Sequence, residues 1–146
     1  MVIEKILDFE RKFRQKELLL AEIGAWTLSV RPGQLTLGAM VLASNSGALG
    51  MASLSDSELQ DMGRGLALAE KLAIKAFGAQ RINYLCLMMQ DPIVHFHILP
   101  RYSKPVERFG INWRDKDWPE PPHIFPASTE DVILHEIKMA LCMAMR

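Results

Sequence analysis

Two histidines separated by one residue, His95 and His97, lie in the run His95-Phe96-His97-Ile98-Leu99-Pro100-Arg101. A neutral imidazole nitrogen is a competent nucleophile toward phosphorus and a good leaving group from it, because it titrates near neutral pH. Two imidazoles held together divide the work: one attacks a phosphoryl centre while the other hydrogen-bonds a non-bridging oxygen or the departing group. Successive side chains of a strand point to opposite faces, so His95 and His97 project together while Val94, Phe96 and Ile98 pack the other side. Pro100 has no N–H for a ladder and is expected to end the strand, leaving the pair near an edge or end of a sheet. Two plainer readings compete: a passive pair on a half-exposed face, and a metal site to which H-x-H gives two ligands. For the metal site, Cys86, Asp91, His123 and His135 stand at no ligand spacing to the pair, so no metal and no other cofactor is expected.

The elements that must position the pair read as follows. Ile82–Met89 and Ile93–Leu99 are buried-looking strands joined through Gln90-Asp91-Pro92, short enough for a hairpin. Upstream, Leu18–Ile23, Trp26–Val30 and Thr36–Ala43 are rich in strand formers, and Gly24 and Arg31-Pro32-Gly33 punctuate them as turns, which suggests an antiparallel meander. Val2, Ile6, Phe9 and Phe13 recur at helical spacing and predict an opening helix over residues 2–16. Ser55-Asp56-Ser57-Glu58 is a capping box, and the long helix it starts runs to Phe77, with Gly78 placed to close it. Residues 103–127 hold five of the eight prolines together with Trp113 and Trp118, and predict an ordered segment with little regular structure. A second capped helix is expected from Ser128, with Asp131 in the box position. The fold class is therefore α+β: a five-stranded antiparallel sheet, a long helix across it, and N- and C-terminal helices.

A chain of 146 residues is the length of one domain, expected over 1–146. Seventeen basic and seventeen acidic residues give a formal net charge of zero, so no global field favours nucleic acid or a membrane surface. Cys86 and Cys142 form no CxxC pair and are expected as free thiols. The charged start of the chain and the lack of a long apolar run complete the expectation of a cytoplasmic protein.

Ile82 through Tyr102, with its His-φ-His-φ-φ-Pro-Arg core, resembles the signature of the histidine triad (HIT) family of nucleotide hydrolases and transferases, in particular its bacterial diadenosine-polyphosphate-hydrolase-like branch. The likeness extends to Pro32–Leu42, the helix after Leu54 and the Trp113…Trp118-Pro119 segment. The family pattern is His-φ-His-φ-His-φ-φ, so His95 takes the middle, nucleophilic position, His97 the last, and Ile93 stands where the first histidine belongs. The resemblance implies attack by His95 on the α-phosphorus of a nucleoside phosphoramidate or dinucleoside polyphosphate, a covalent nucleotidyl-histidine, and hydrolysis of that adduct. It implies a purine-nucleotide substrate and a homodimer built on the long helix and the strand before Gln90. It also places Gln90 at the phosphate and Arg31 at the sugar or, as a guanidinium fork, at a phosphate. Ile93 neither donates nor accepts, so two outcomes stay open: an enzyme whose rate Ile93 limits, and which a histidine there would speed if a ring has room, or a nucleotide-sensing or protein-interaction module without turnover.

Overall fold

The computed structural model describes residues 2–146. Its elements are helix α1 (Val2–Lys12), strands β1 (Leu19–Ile23), β2 (Trp26–Val30) and β3 (Met40–Ser44), helix α2 (Asp56–Phe77), strands β4 (Arg81–Leu85), β5 (His95–Arg101), β6 (Val106–Arg108) and β7 (Ile111–Trp113), and helix α3 (Asp131–Ala144). A 3-10 turn, Met51–Ser53, precedes α2. The main sheet is antiparallel in the order β1-β2-β3-β5-β4, so the architecture is the α+β arrangement expected.

Helix α2 begins as its sequence dictates. The Ser55 side chain accepts from the Glu58 N–H and the Glu58 carboxylate accepts from the Ser55 N–H, while Gly78 closes the helix in the left-handed region at φ +71°. The helix crosses β1, β2, β3 and β5, and α3 packs beside it. Their apolar faces join Trp26, Leu28, Leu42, Phe96 and Ile98 in the main core. Apolar residues of α2 fall on two stripes, one with Leu59, Met62 and Leu66 and a second with Leu68 and Leu72; Leu72 is 2% exposed and Leu68 packs on the same core, so α3 within the same chain covers the second stripe. A charge at Leu72 would unfold the chain rather than split a dimer, since even truncation of a buried leucine costs ~2–5 kcal/mol.

Five local expectations are corrected. Pro100 does not end the strand: β5 continues to Arg101, pairing Pro100 with Ile82 of β4. Val94 presents its carbonyl to Ser44 of β3 and Arg101 its carbonyl to Gln80 on the β4 side. By alternation the Pro100 nitrogen faces β3, beyond Met40, the last β3 residue in the ladder, where no hydrogen bond is forfeited. The histidines consequently lie on an interior strand. Residues 106–113 form the hairpin β6–β7 inside a segment read as irregular. Helix α3 starts at Asp131 with Glu130 as its N-cap and no side-chain cap, so the Ser128 box does not form. Ile93 precedes β5, and helix α1 stops at Lys12, with Arg14 in the left-handed region at φ 52°.

Candidate active site

Register fixes which residues share a face with the histidines. Thr27, Ala43 and His95 stand opposite one another across β2, β3 and β5, as do Ser29, Val41 and His97 in the next row. Arg31, two residues beyond Ser29, continues this face. The opposite face carries the main core, whereas over the histidine face lies α1, and its Phe9, with Phe13 just past its end, forms a second apolar cluster with Val41, Ala43 and Ile93.

His95 and His97 are 2% and 8% exposed, and their ring centroids lie 5.0 Å apart at 84°. The Nδ1 of His95 is 2.6 Å from the carbonyl oxygen of Ile93. A carbonyl only accepts, so Nδ1 carries the proton and the Nε2 lone pair stays free. Among the described residues Nε2 has no hydrogen-bond partner. His97 takes the complementary form: Arg31 Nε donates to its Nδ1 at 3.1 Å, which puts the ring proton on Nε2. One ring offers a lone pair at Nε2 and its neighbour a proton.

Electrostatics keeps both rings neutral near pH 7. Burial pushes His95 below its ordinary value of 6.5, opposed by the bond to Ile93 and the charge of Asp91. His97 is pushed down to about 4, first by burial, then by the charge of Arg31 and by His95. Both rings therefore keep the neutral forms their hydrogen bonds select, with a lone pair on His95 Nε2 and a proton on His97 Nε2.

The histidines sit in a cavity of about 510 Å³. Arg31 and Lys12 bring positive charge to it, Asp91 and Gln90 face it from the loop between β4 and β5, and Phe125 with its neighbours Ile124 and Pro126 closes the far wall. Lys12 Nζ meets Asp91 Oδ2 at 2.7 Å, tying the end of α1 to that loop. Arg31 uses Nε on His97 and Nη1 on the Gly33 carbonyl, and among the described residues Nη2 has no hydrogen-bond partner.

The turn that carries Arg31 is held by Gln34, whose side-chain amide donates to the carbonyls of Arg31 and Ala39 and accepts from the Gly38 N–H. Gly38 is obligatory there: φ is +83°, and a Cβ would stand 2.9 Å from the Phe77 ring.

The structure thus brings together all four sequence candidates, His95, His97, Arg31 and Gln90, with Gln90 exposed at the rim. It excludes others. Trp113 donates to the Arg108 carbonyl and packs on the core, and neither it nor Trp118 lines the cavity. His123 pairs with Asp117 and His135 with Glu17, both at the surface. Arg101, 3% exposed, is structural: it forks Asp115 at 2.6 and 3.1 Å and reaches Asn83. Sequence reasoning missed Lys12, Phe13 and Phe125. Phe9 and Phe13 were visible as one apolar helix face, but nothing local told which side of the sheet that face covers.

No family profile and no curated protein sequence matches this chain. Solved structures do match in fold. A HIT-like protein involved in cell-cycle regulation from Bartonella henselae is similar at TM-score 0.68 and 19% identity over 94% of each chain. A hypothetical histidine triad nucleotide-binding protein from Sulfolobus tokodaii aligns at TM-score 0.70 and 11% identity over 97% of this chain and 91% of its own. A zinc-bound histidine triad family protein from Mycobacterium smegmatis aligns at 0.63 and 13% over 88% and 83%. The chain has the histidine triad fold, and at these identities the likeness speaks for fold alone.

Proposed function

We propose that this chain is a nucleotidyl hydrolase or transferase of the histidine triad type, one domain over residues 1–146. It acts at the α-phosphorus of nucleoside phosphoramidates or dinucleoside polyphosphates. The observation that carries the reading is the pair of complementary tautomers: His95 with a free Nε2, His97 with an Nε2–H, side by side in one cavity. In the first step a bond forms between His95 Nε2 and phosphorus as the bond to the leaving group breaks. The leaving group departs with that electron pair and takes any proton it needs from water. His97 Nε2–H and the free Nη2 of Arg31 donate to the phosphoryl oxygens, and Gln90 can reach the phosphate from the rim. Water then attacks phosphorus, releases the nucleotide, and returns the electron pair to His95 Nε2. The walls of Phe125, Ile124 and Met88 suit a flat purine.

Two further parts of the proposal concern assembly and place. β4 is an edge strand, and Tyr84 on it and Ile74 on α2 are exposed at 39% and 46%. This edge and helix are the surface through which a homodimer would form. Free thiols at Cys86 and Cys142 fit a reducing, cytoplasmic setting, and no helix among the described residues is long and apolar enough to cross a membrane.

One observation favours the rival, a nucleotide-sensing or protein-interaction module: Ile93 sits in an apolar cluster with no polar atom to offer the phosphate. The deciding experiment is rapid quench of the protein with a panel of adenylyl and guanylyl phosphoramidates and dinucleoside polyphosphates, followed by intact mass and peptide mapping. A nucleotidyl adduct on His95, lost in His95→Ala, is expected. Tight binding with neither adduct nor turnover across the panel would establish the rival.

A further inference from the structure

We propose that helix α1 is a positioning element of the site, and that Phe9 and Phe13 hold the His95 ring by packing, in place of the hydrogen-bonding side chain that position 93 lacks. The inference rests on the reading of His95 as the nucleophile. A histidine ring turns about a broad terminal torsion, so a single hydrogen bond at Nδ1 leaves the direction of the Nε2 lone pair loosely defined. His95 has one such bond, to the Ile93 carbonyl. The rest of its restraint is aromatic. Phe9 meets the ring edge-on with centroids 4.9 Å apart at 63°, Phe13 lies 6.2 Å away, and His97 closes a third side at 5.0 Å. Phe13 also stands 5.8 Å from His97, so one side chain touches both imidazoles.

This arrangement explains why isoleucine serves at position 93. Phe9 on α1 and Phe13, just past its end, are four apart, pack at 4.5 Å between centroids, and are 4% and 6% exposed. Ile93 packs beneath them with Val41 and Ala43. A polar side chain there would be buried among carbon atoms, whereas an aliphatic one completes the seat on which the two rings rest. The helix is fastened where it matters: Lys12 is bonded to Asp91, two residues before Ile93, and Arg14 reaches Asp131 of α3 at 3.0 Å. Docking of α1 and placement of the backbone carbonyl that orients His95 are thus one structural event. The charged groups that act on His95 are Lys12 of α1, Asp91 of the loop and Arg31 after β2, with the titratable His97 ring beside it on β5, and none belongs to the Phe9 contact.

The test uses Phe9, which does not line the cavity, in the full-length chain. Phe9→Ala and Phe9→Leu are compared with wild type by the nitrogen shifts of the His95 imidazole through a pH titration, and by kcat and KM for an adenylyl phosphoramidate. Phe9→Ala is expected to lower kcat by about ten- to a hundred-fold with KM within about threefold, the size of loss that small misplacement of a reacting group produces. Its His95 ring should show a mixed tautomer and a pKa moved up toward 6.5 as water reaches the ring. Phe9→Leu, which keeps most of the volume, should recover part of both, and it carries the test if Phe9→Ala does not fold. Folded variants with the wild-type tautomer and kcat overturn the proposal, as does a loss confined to KM. If wild type forms no adduct, the functional reading fails by itself, and the imidazole shifts still decide whether α1 positions His95.

Discussion

Replacing Ile93 by histidine completes the triad in sequence, yet in this fold it is expected to cost stability and gain no rate. The condition under which a third imidazole would help, room and a polar partner, is opposed by the apolar cluster in which Ile93 packs. Ile93 is 2% exposed and lies among Phe9, Phe13, Val41 and Ala43, none of which has a side-chain hydrogen-bonding atom. An imidazole carries one donor and one acceptor into that cluster, and a buried polar group left unpaired costs ~1–3 kcal/mol. Lost aliphatic contact adds ~1 kcal/mol, comparable to a small core truncation. The total is about 2–4 kcal/mol, and for a chain of this size each kcal/mol lowers Tm by roughly 2–4 °C, so a fall of roughly 5–15 °C follows. Differential scanning calorimetry measures the fall, and single-turnover transfer from an adenylyl phosphoramidate measures the rate. An Ile93→His protein that melts with wild type and transfers faster would refute this account of the cluster.

Four other outcomes are expected. His95→Ala should keep its fold by circular dichroism and lose turnover by far more than the ~10²–10⁴-fold of a general acid–base contribution, because the covalent route itself is gone. With His97 at about 4 when folded and near 6.5 when unfolded, the unfolded chain binds the extra proton between those values. Stability is therefore full above about pH 6.5 and falls by up to ~3 kcal/mol as pH drops toward 4, a slope that urea titrations should find reduced in His97→Asn. Sedimentation at high micromolar concentration should give a dimer that Tyr84→Lys with Ile74→Glu converts to a folded monomer, and a monomeric wild type would refute it. Purified protein should carry no stoichiometric zinc and keep its activity in chelator, since a lone pair committed to a metal cannot attack phosphorus. Loss of activity on removing one bound transition metal per chain, restored on its return, would favour metal-activated water instead.

The sequence by itself determined what local chemistry decides. The alternation around His95 and His97 put both on one face, the Ser55–Glu58 box and Gly78 delimited α2, and β-formers bounded by turn residues located the sheet. Arg31 and Gln90 were also named, through a resemblance, and both line the cavity that holds the histidines. Tertiary structure decided everything that depends on what lies opposite. Pro100 could continue an interior strand because its nitrogen faces a stretch where β3 has ended, a fact of register between segments some sixty residues apart. The second stripe of α2 was answered by α3 rather than by another chain, and helical periodicity reports only that a face must be covered, never by what. Phe9 and Phe13 read as ordinary core, and only the packing of α1 onto the histidine face turned them into the neighbours of His95. Likewise, the two tautomers follow from a carbonyl at Ile93 and a guanidinium at Arg31, 66 residues from His97 in the chain. Side-chain type fixes what a group can donate or accept, and only the folded chain fixes which partner it meets.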